Sequence, residues 1–185
     1  YGNFYQDHLF YWSLSALSRF LSSEGLYVYT AQRVATQGGS IRVYASKRQL
    51  GLGDGYLMLL NEINWNLQTY QDFAQRVTKA KHQFRSTLQA LKEAGACLAG
   101  YGAAAKGLSL LSYCNIGPDI ISYIVDDSPL KQGKWTPGNH IPIVGPEEME
   151  RSRPDYLVVL AWNHLADIKA RTSHLGAEYL VPVGD

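Results

Sequence analysis

The stretch "GYGAAAKG", residues 100–107, decides the fold. It follows the short apolar run "ACLA" and precedes "LSLLSYC", a helix-like pattern, so it reads as a glycine-rich turn from a strand into a helix. In a dinucleotide fold the first glycine permits the tight turn, the second lets backbone approach a phosphate, and the third allows close helix–strand packing. Gly100 and Gly102 fill the first two places, Ala105 stands at the third, and Gly107 follows. Lys106 adds a cation to a helix start whose N–H groups and dipole already favour an anion. The same spacing is also simply how a strand turns tightly into a helix, and both readings stay open at this level. Asp126 and Asp127 end the next strand-like run, about where a ribose-binding acid belongs.

Working outward, "ACLAGYG", "IISYIVDD", "DYLVVLAW" and "AEYLVPV" are four strongly apolar runs, with helical stretches near 104–113, 146–151 and 164–175 between them. Continuous apolar strands separated by helices predict a parallel sheet covered on both faces, a small Rossmann-like α/β domain over 96–185. Four strands are too few for both halves of a dinucleotide site, so an NAD-dependent dehydrogenase is disfavoured. Before this domain, Leu60, Ile63, Leu67, Tyr70, Ala74, Val77, Phe84, Leu88 and Leu91 recur at helical spacing, with Lys81 interrupting and Gly95 closing. That pattern predicts a helix of about 35 residues, roughly 50 Å long, within a connecting segment 49–95. It is read as packed along a domain, with a coiled-coil seam as the alternative. The first 48 residues hold a helix, "SLSALSRFLSSEGL", capped by Ser13 and stopped by Gly25, then a hairpin of "LYVYTAQRV" and "SIRVYAS". This unit carries a poor core and should need a neighbour.

Composition narrows the function. Of 185 residues, 46% are hydrophobic and 18% charged, with a formal net charge of +1, so no global field draws the chain to nucleic acid or an anionic membrane. No apolar run is long enough to span a bilayer. Two cysteines without CxxC spacing read as free buried thiols of a reducing, cytoplasmic setting, and five scattered histidines without HxxxH spacing predict no metal site. The loop "DSPLKQGKWTPGNH", 127–140, is longer than most connections and should be a working element. In it Lys131 and Lys134 can meet phosphate or carboxylate, and Trp135 can stack on a base or sugar.

The densest chemistry lies in "YQDHLFYWS", 5–13, where a phenol, a carboxylate and an imidazole share one short segment. Such a set suits proton abstraction by histidine, with the carboxylate fixing the tautomer and the phenol steadying developing oxygen charge. A capped aromatic helix entry with an exposed histidine is the plain alternative. Taken in order, "YQDHLFYWSLSALSRFL", "QGGSIRVY", "GYGAAAKG", "VDDSPLKQGKWTPGNHIPI" and "LAWN" resemble the C-terminal half of sugar-nucleotide C-methyltransferases. These S-adenosylmethionine-dependent enzymes alkylate carbon 3 of a dTDP-4-keto-deoxysugar.

The resemblance implies that residues 1–48 are the closing helix and hairpin of a class I methyltransferase fold. It makes His8 the general base, with Tyr5 and Asp7 beside it, Asp7 standing for a glutamate and Gln6 for a histidine of the family motif. Gly100, Gly102, Lys106, Asp126, Lys131 and Trp135 become the candidate contacts to a nucleotide-sugar. No glycine-rich S-adenosylmethionine loop of the D/E-x-G-x-G type occurs here, so that cofactor is expected to bind an N-terminal methyltransferase domain, the chain's expected partner. A non-catalytic nucleotide-sugar-binding or assembly domain is the competing expectation.

Overall fold

The structure is a computed structural model that describes residues 9–36, 39–53, 55 and 65–182. They divide into two compact units with the boundary between Arg76 and Val77. In the first unit, helix α1 (Leu14–Ser23) is capped by Ser13, whose hydroxyl accepts the Ala16 N–H at 3.2 Å. It ends as predicted at Gly25, whose φ of +73° closes a terminal loop in which Leu26 N–H reaches Leu21 O. Strands β1 (Tyr27–Val34) and β2 (Ser40–Ser46) pair antiparallel from Tyr27↔Ser46 to Val34↔Ser40, with a bulge between Val28 and Thr30. Gly53 N–H bonds Tyr29 O at that bulge. Among the described residues of this unit, Leu14 and Ala31 are the buried apolar side chains. Phe10, Trp12 and Phe20 stay at least 46% exposed and stack on one another at 5.8 and 5.4 Å. The unit's own core is as thin as its sequence suggests.

Helix α2 (Leu67–Glu93) straddles the boundary. Its 27 residues make it about 40 Å long, shorter than the periodicity predicts. Asn66 is the reason: its side-chain oxygen accepts the Thr69 N–H at 3.1 Å while Thr69 Oγ1 accepts the Asn66 N–H, a reciprocal cap that sets the start. Leu60 and Ile63 lie outside the described residues. Lys81, which interrupts the apolar stripe, places its ammonium 4.5 Å over the Tyr113 ring.

The second unit is the sheet domain. Strands β3 (Leu98–Tyr101), β4 (Ile124–Val125), β5 (Ile143–Val144), β6 (Tyr156–Val159) and β7 (Glu178–Leu180) are all parallel, in the order β5-β4-β3-β6-β7. Helices α3 (Ala105–Tyr113), α4 (Glu147–Ser152) and α5 (Leu165–Thr172) fall where the sequence puts them. The fifth strand is a correction to the four expected. Ile143–Val144 is two residues long and follows a proline, too short to leave a periodic signal.

Alternation along β3 sorts the core into two layers. Leu98 faces Leu88 of α2 and Leu110 and Leu111 of α3, whereas Ala99 and Tyr101 face Met149 of α4 and Ile168 of α5. Strands β3, β4 and β6 are buried on both faces, which is why they read as continuous apolar runs, whereas the edge strand β7 is only partly buried.

Helix α3 lies very close to the end of β6. A Cβ on Gly107 would fall 2.5 Å from Leu160 Cβ and 3.0 Å from Leu160 O, so only glycine fits without movement. Gly107→Ala is expected to lower the domain's stability by about 1–3 kcal/mol, the range for forced overpacking. Urea unfolding checks this, and an unchanged midpoint would mean the helix can lift away at no cost.

Candidate site at the carboxyl edge of the sheet

From the central strand β3 the chain runs outward to β4 and β5, then returns to β6 on β3's other side. This reversal sits between β3 and β6, and open α/β sheets hold their ligands outside the strand carboxyl ends at such a point. Three segments meet that edge: the glycine turn after β3, Asp126 and Asp127 after β4, and 160–164 after β6.

The glycine turn is tightly built. Gly102 adopts φ +88°, and a Cβ there would lie 2.5 Å from Ala161 Cβ. A Cβ on Gly100 would lie 2.8 Å from Ile124 and 3.2 Å from Leu160. Ala104 N–H bonds back to Gly102 O at 2.8 Å, and Gly102 N–H to Val125 O at 2.7 Å. Lys106 is half-buried in the first turn of α3.

Asp126 is 7% exposed and turned inward. One carboxylate oxygen accepts the Ala103 N–H at 2.7 Å and the Lys131 ammonium at 3.0 Å, and the other accepts the Ser128 N–H at 2.9 Å. The same ammonium donates to Ala103 O at 3.0 Å. The structure therefore brings Gly100, Gly102, Lys106, Asp126 and Lys131 to one edge. Trp135, 62% exposed, lies further along the loop. There residues 133–136 pair antiparallel with the chain entering and forming β5, through Gly133 N–H to Ile143 O, Ile143 N–H to Lys134 O and Thr136 N–H to Ile141 O. Tyr5, Asp7 and His8 lie outside the described residues.

A further cluster escaped the sequence reading. Tyr101 donates its phenol proton to Asp127 at 3.0 Å, and Arg171 donates to the other oxygen of Asp127 at 2.9 Å. The Arg171 guanidinium also lies over the Tyr101 ring, 5.6 Å from its centroid. Only the sheet order makes these neighbours, since 44 residues separate Asp127 from Arg171. Asp127 was read only as a possible ribose acid, and the mid-motif tyrosine of "GYG" was the signal left unused. Burial first, then the hydrogen bond and negative charge of Asp127, push the Tyr101 phenol up to about 12 against the opposing charge of Arg171. Among thiols, Cys114 is buried and its proton is held more tightly by that burial, while Cys97 is half-buried and free. No group of three or more His, Cys, Asp or Glu among the described residues could hold a metal, and no described helix is long and apolar enough to cross a membrane.

The Tyr101 shift has a pH consequence. An unfolded tyrosine loses its proton near 10, and the folded one near 12, so the fold favours the protonated phenol. Its stabilisation is complete below pH 10 and is lost as pH rises toward 12. Chemical denaturation across that window is expected to show a flatter decline for Tyr101→Phe than for the unaltered protein. Equal slopes would show that the phenol's surroundings do not favour its proton.

Comparison with known proteins adds the remaining observations. The family model described as the C-methyltransferase C-terminal domain matches residues 35–183. The C-methyltransferase NovU of Streptomyces niveus is 32% identical over 195 residues, taking in 99% of this chain and 46% of that protein. The chain thus spans about half the length of the curated relative it matches.

Proposed function

The chain belongs to the C-methyltransferase C-terminal domain family, and on that footing we propose that it is half of an S-adenosylmethionine-dependent enzyme that methylates a carbon of a nucleotide-linked keto-deoxysugar. The observation that carries this reading is the match itself, which runs through both the hairpin unit and the sheet domain. S-adenosylmethionine supplies the methyl electrophile. The described residues do not suit it: Asp126, placed where an acid could hold a ribose, spends both oxygens on Ala103, Ser128 and Lys131. We place the methyl donor in the part of the protein beyond these 185 residues.

This chain's contribution is the base and part of the sugar-nucleotide site. A ketone at carbon 4 acidifies the carbon 3 proton. The His8 imidazole takes that proton, and the released electron pair spreads onto the ketone oxygen, which the Tyr5 phenol steadies. Asp7 holds the histidine's other nitrogen in the donor tautomer. In the sheet domain, Lys106 offers charge to an anionic part of the nucleotide-sugar, and Trp135 offers a ring for stacking. Gln6 and Asp7, both departures from the family motif, favour one competing reading, a binding or assembly domain that has lost methyl transfer.

One substitution separates the two. In the full-length protein His8→Ala is expected to cut methyl transfer by ~10²–10⁴ with nucleotide-sugar affinity nearly unchanged, the usual reach of acid–base catalysis. Single-turnover rates and calorimetry measure both quantities. An unaltered rate would remove His8 from the chemistry.

A further inference from the structure

A glycine turn that takes a nucleotide needs three free things: glycine faces open to the ligand, N–H groups after the second glycine pointing outward, and an acid after the next strand available for a ribose. In this turn the glycine faces, the first two N–H groups after Gly102 and the acid are all engaged within the protein. The open faces of Gly100, Gly102 and Gly107 are filled by Ile124, Leu160 and Ala161, at 2.5–2.8 Å from where a Cβ would stand. Of the N–H groups following Gly102, that of Ala104 bonds to Gly102 O and that of Ala103 to the Asp126 carboxylate. The acid is that same carboxylate.

We infer that Asp126 is the turn's permanent anion: it occupies the place a nucleotide phosphate would take, and it ties loop 127–140 to the start of helix α3. The chemistry is self-consistent. A carboxylate just before a helix N-terminus is favoured by the helix dipole, and short charge-assisted bonds from two backbone amides hold it there. Lys131 completes the closure by bridging Asp126 and Ala103 O, which neutralises the buried charge without any ligand. Gln132 adds a bond from its side-chain nitrogen to Asp126 O at 2.9 Å. Asp126 and Lys131 are therefore positioning residues. They set the origin of the loop whose next residues, from Gly133 on, pair along β5 and carry Trp135. An anion meeting this edge finds the Ala103 and Ala104 N–H groups already engaged, with Lys106 in the first turn of α3 next to them. The inference concerns the resting turn alone and stands whether or not the methyl-transfer reading holds.

The experiment is hydrogen–deuterium exchange on the full-length protein, followed in peptides covering the turn (100–107), the loop (127–136) and β6 (156–160). Millimolar pyrophosphate or NAD is expected to leave exchange in the turn peptide unchanged. Asp126→Asn is expected to speed exchange in both the turn and loop peptides about tenfold while β6 stays protected, the pattern of a local opening. Lys131→Met should loosen the loop and spare the turn. Protection of the turn by pyrophosphate or NAD in the unaltered protein would overturn the inference, as would unchanged exchange in Asp126→Asn. Should Asp126→Asn also release β6, Lys131→Met decides: a loop as protected as before would contradict the closure.

Discussion

The close seating of helix α3 on the end of strand β6 is the contact on which the sheet domain depends. Gly107 and Gly102 lie against Leu160 and Ala161 with no space for a methyl group. The central strand β3, which joins both layers of the core, can then pair with β4 and β6 while its exit bends sharply into the helix. Side chains at Leu98 and Leu110 on one layer and Tyr101 and Ile168 on the other fill in around that bend. Buried apolar area supplies most of the stabilisation in such a core, but it is non-directional. The glycine–leucine contact is what makes one helix position better than its neighbours.

Much of this was legible in the residues. Strands buried on both faces leave continuous apolar runs, so β3, β4 and β6 were visible; β7 showed in "AEYLVPV" although it is only partly buried, and Ser13 and Gly25 marked the two ends of α1. Misses came where structure is decided by something other than periodicity. The two-residue strand β5 is held by parallel pairing and by the folded-back loop, neither of which marks a sequence. Helix α2 starts at a polar reciprocal cap around Asn66 and Thr69, inside an apolar repeat that runs on upstream.

At the candidate site, the sequence named the residues better than their partners. Gly100, Gly102, Lys106, Asp126 and Lys131 do meet at one edge of the sheet. Position alone could not say that Asp126 would turn onto Ala103 and Lys131, because a carboxylate after the second strand suits a ribose and an amide equally. Tyr101, Asp127 and Arg171 became a cluster only through the sheet order. The hairpin unit is the converse case: its sequence shows a poor core, and the structure adds that Phe10, Trp12 and Phe20 are exposed on it.

The role proposed for this family member is to supply the base that prepares a sugar carbon for methylation. Solvent isotope exchange tests it without requiring methyl transfer. The full-length protein, incubated in heavy water with a nucleotide-linked 4-keto-deoxysugar, should place a deuteron at carbon 3, detectable as a mass increase and a lost proton resonance. A sugar that binds but gains no deuterium would contradict the claim.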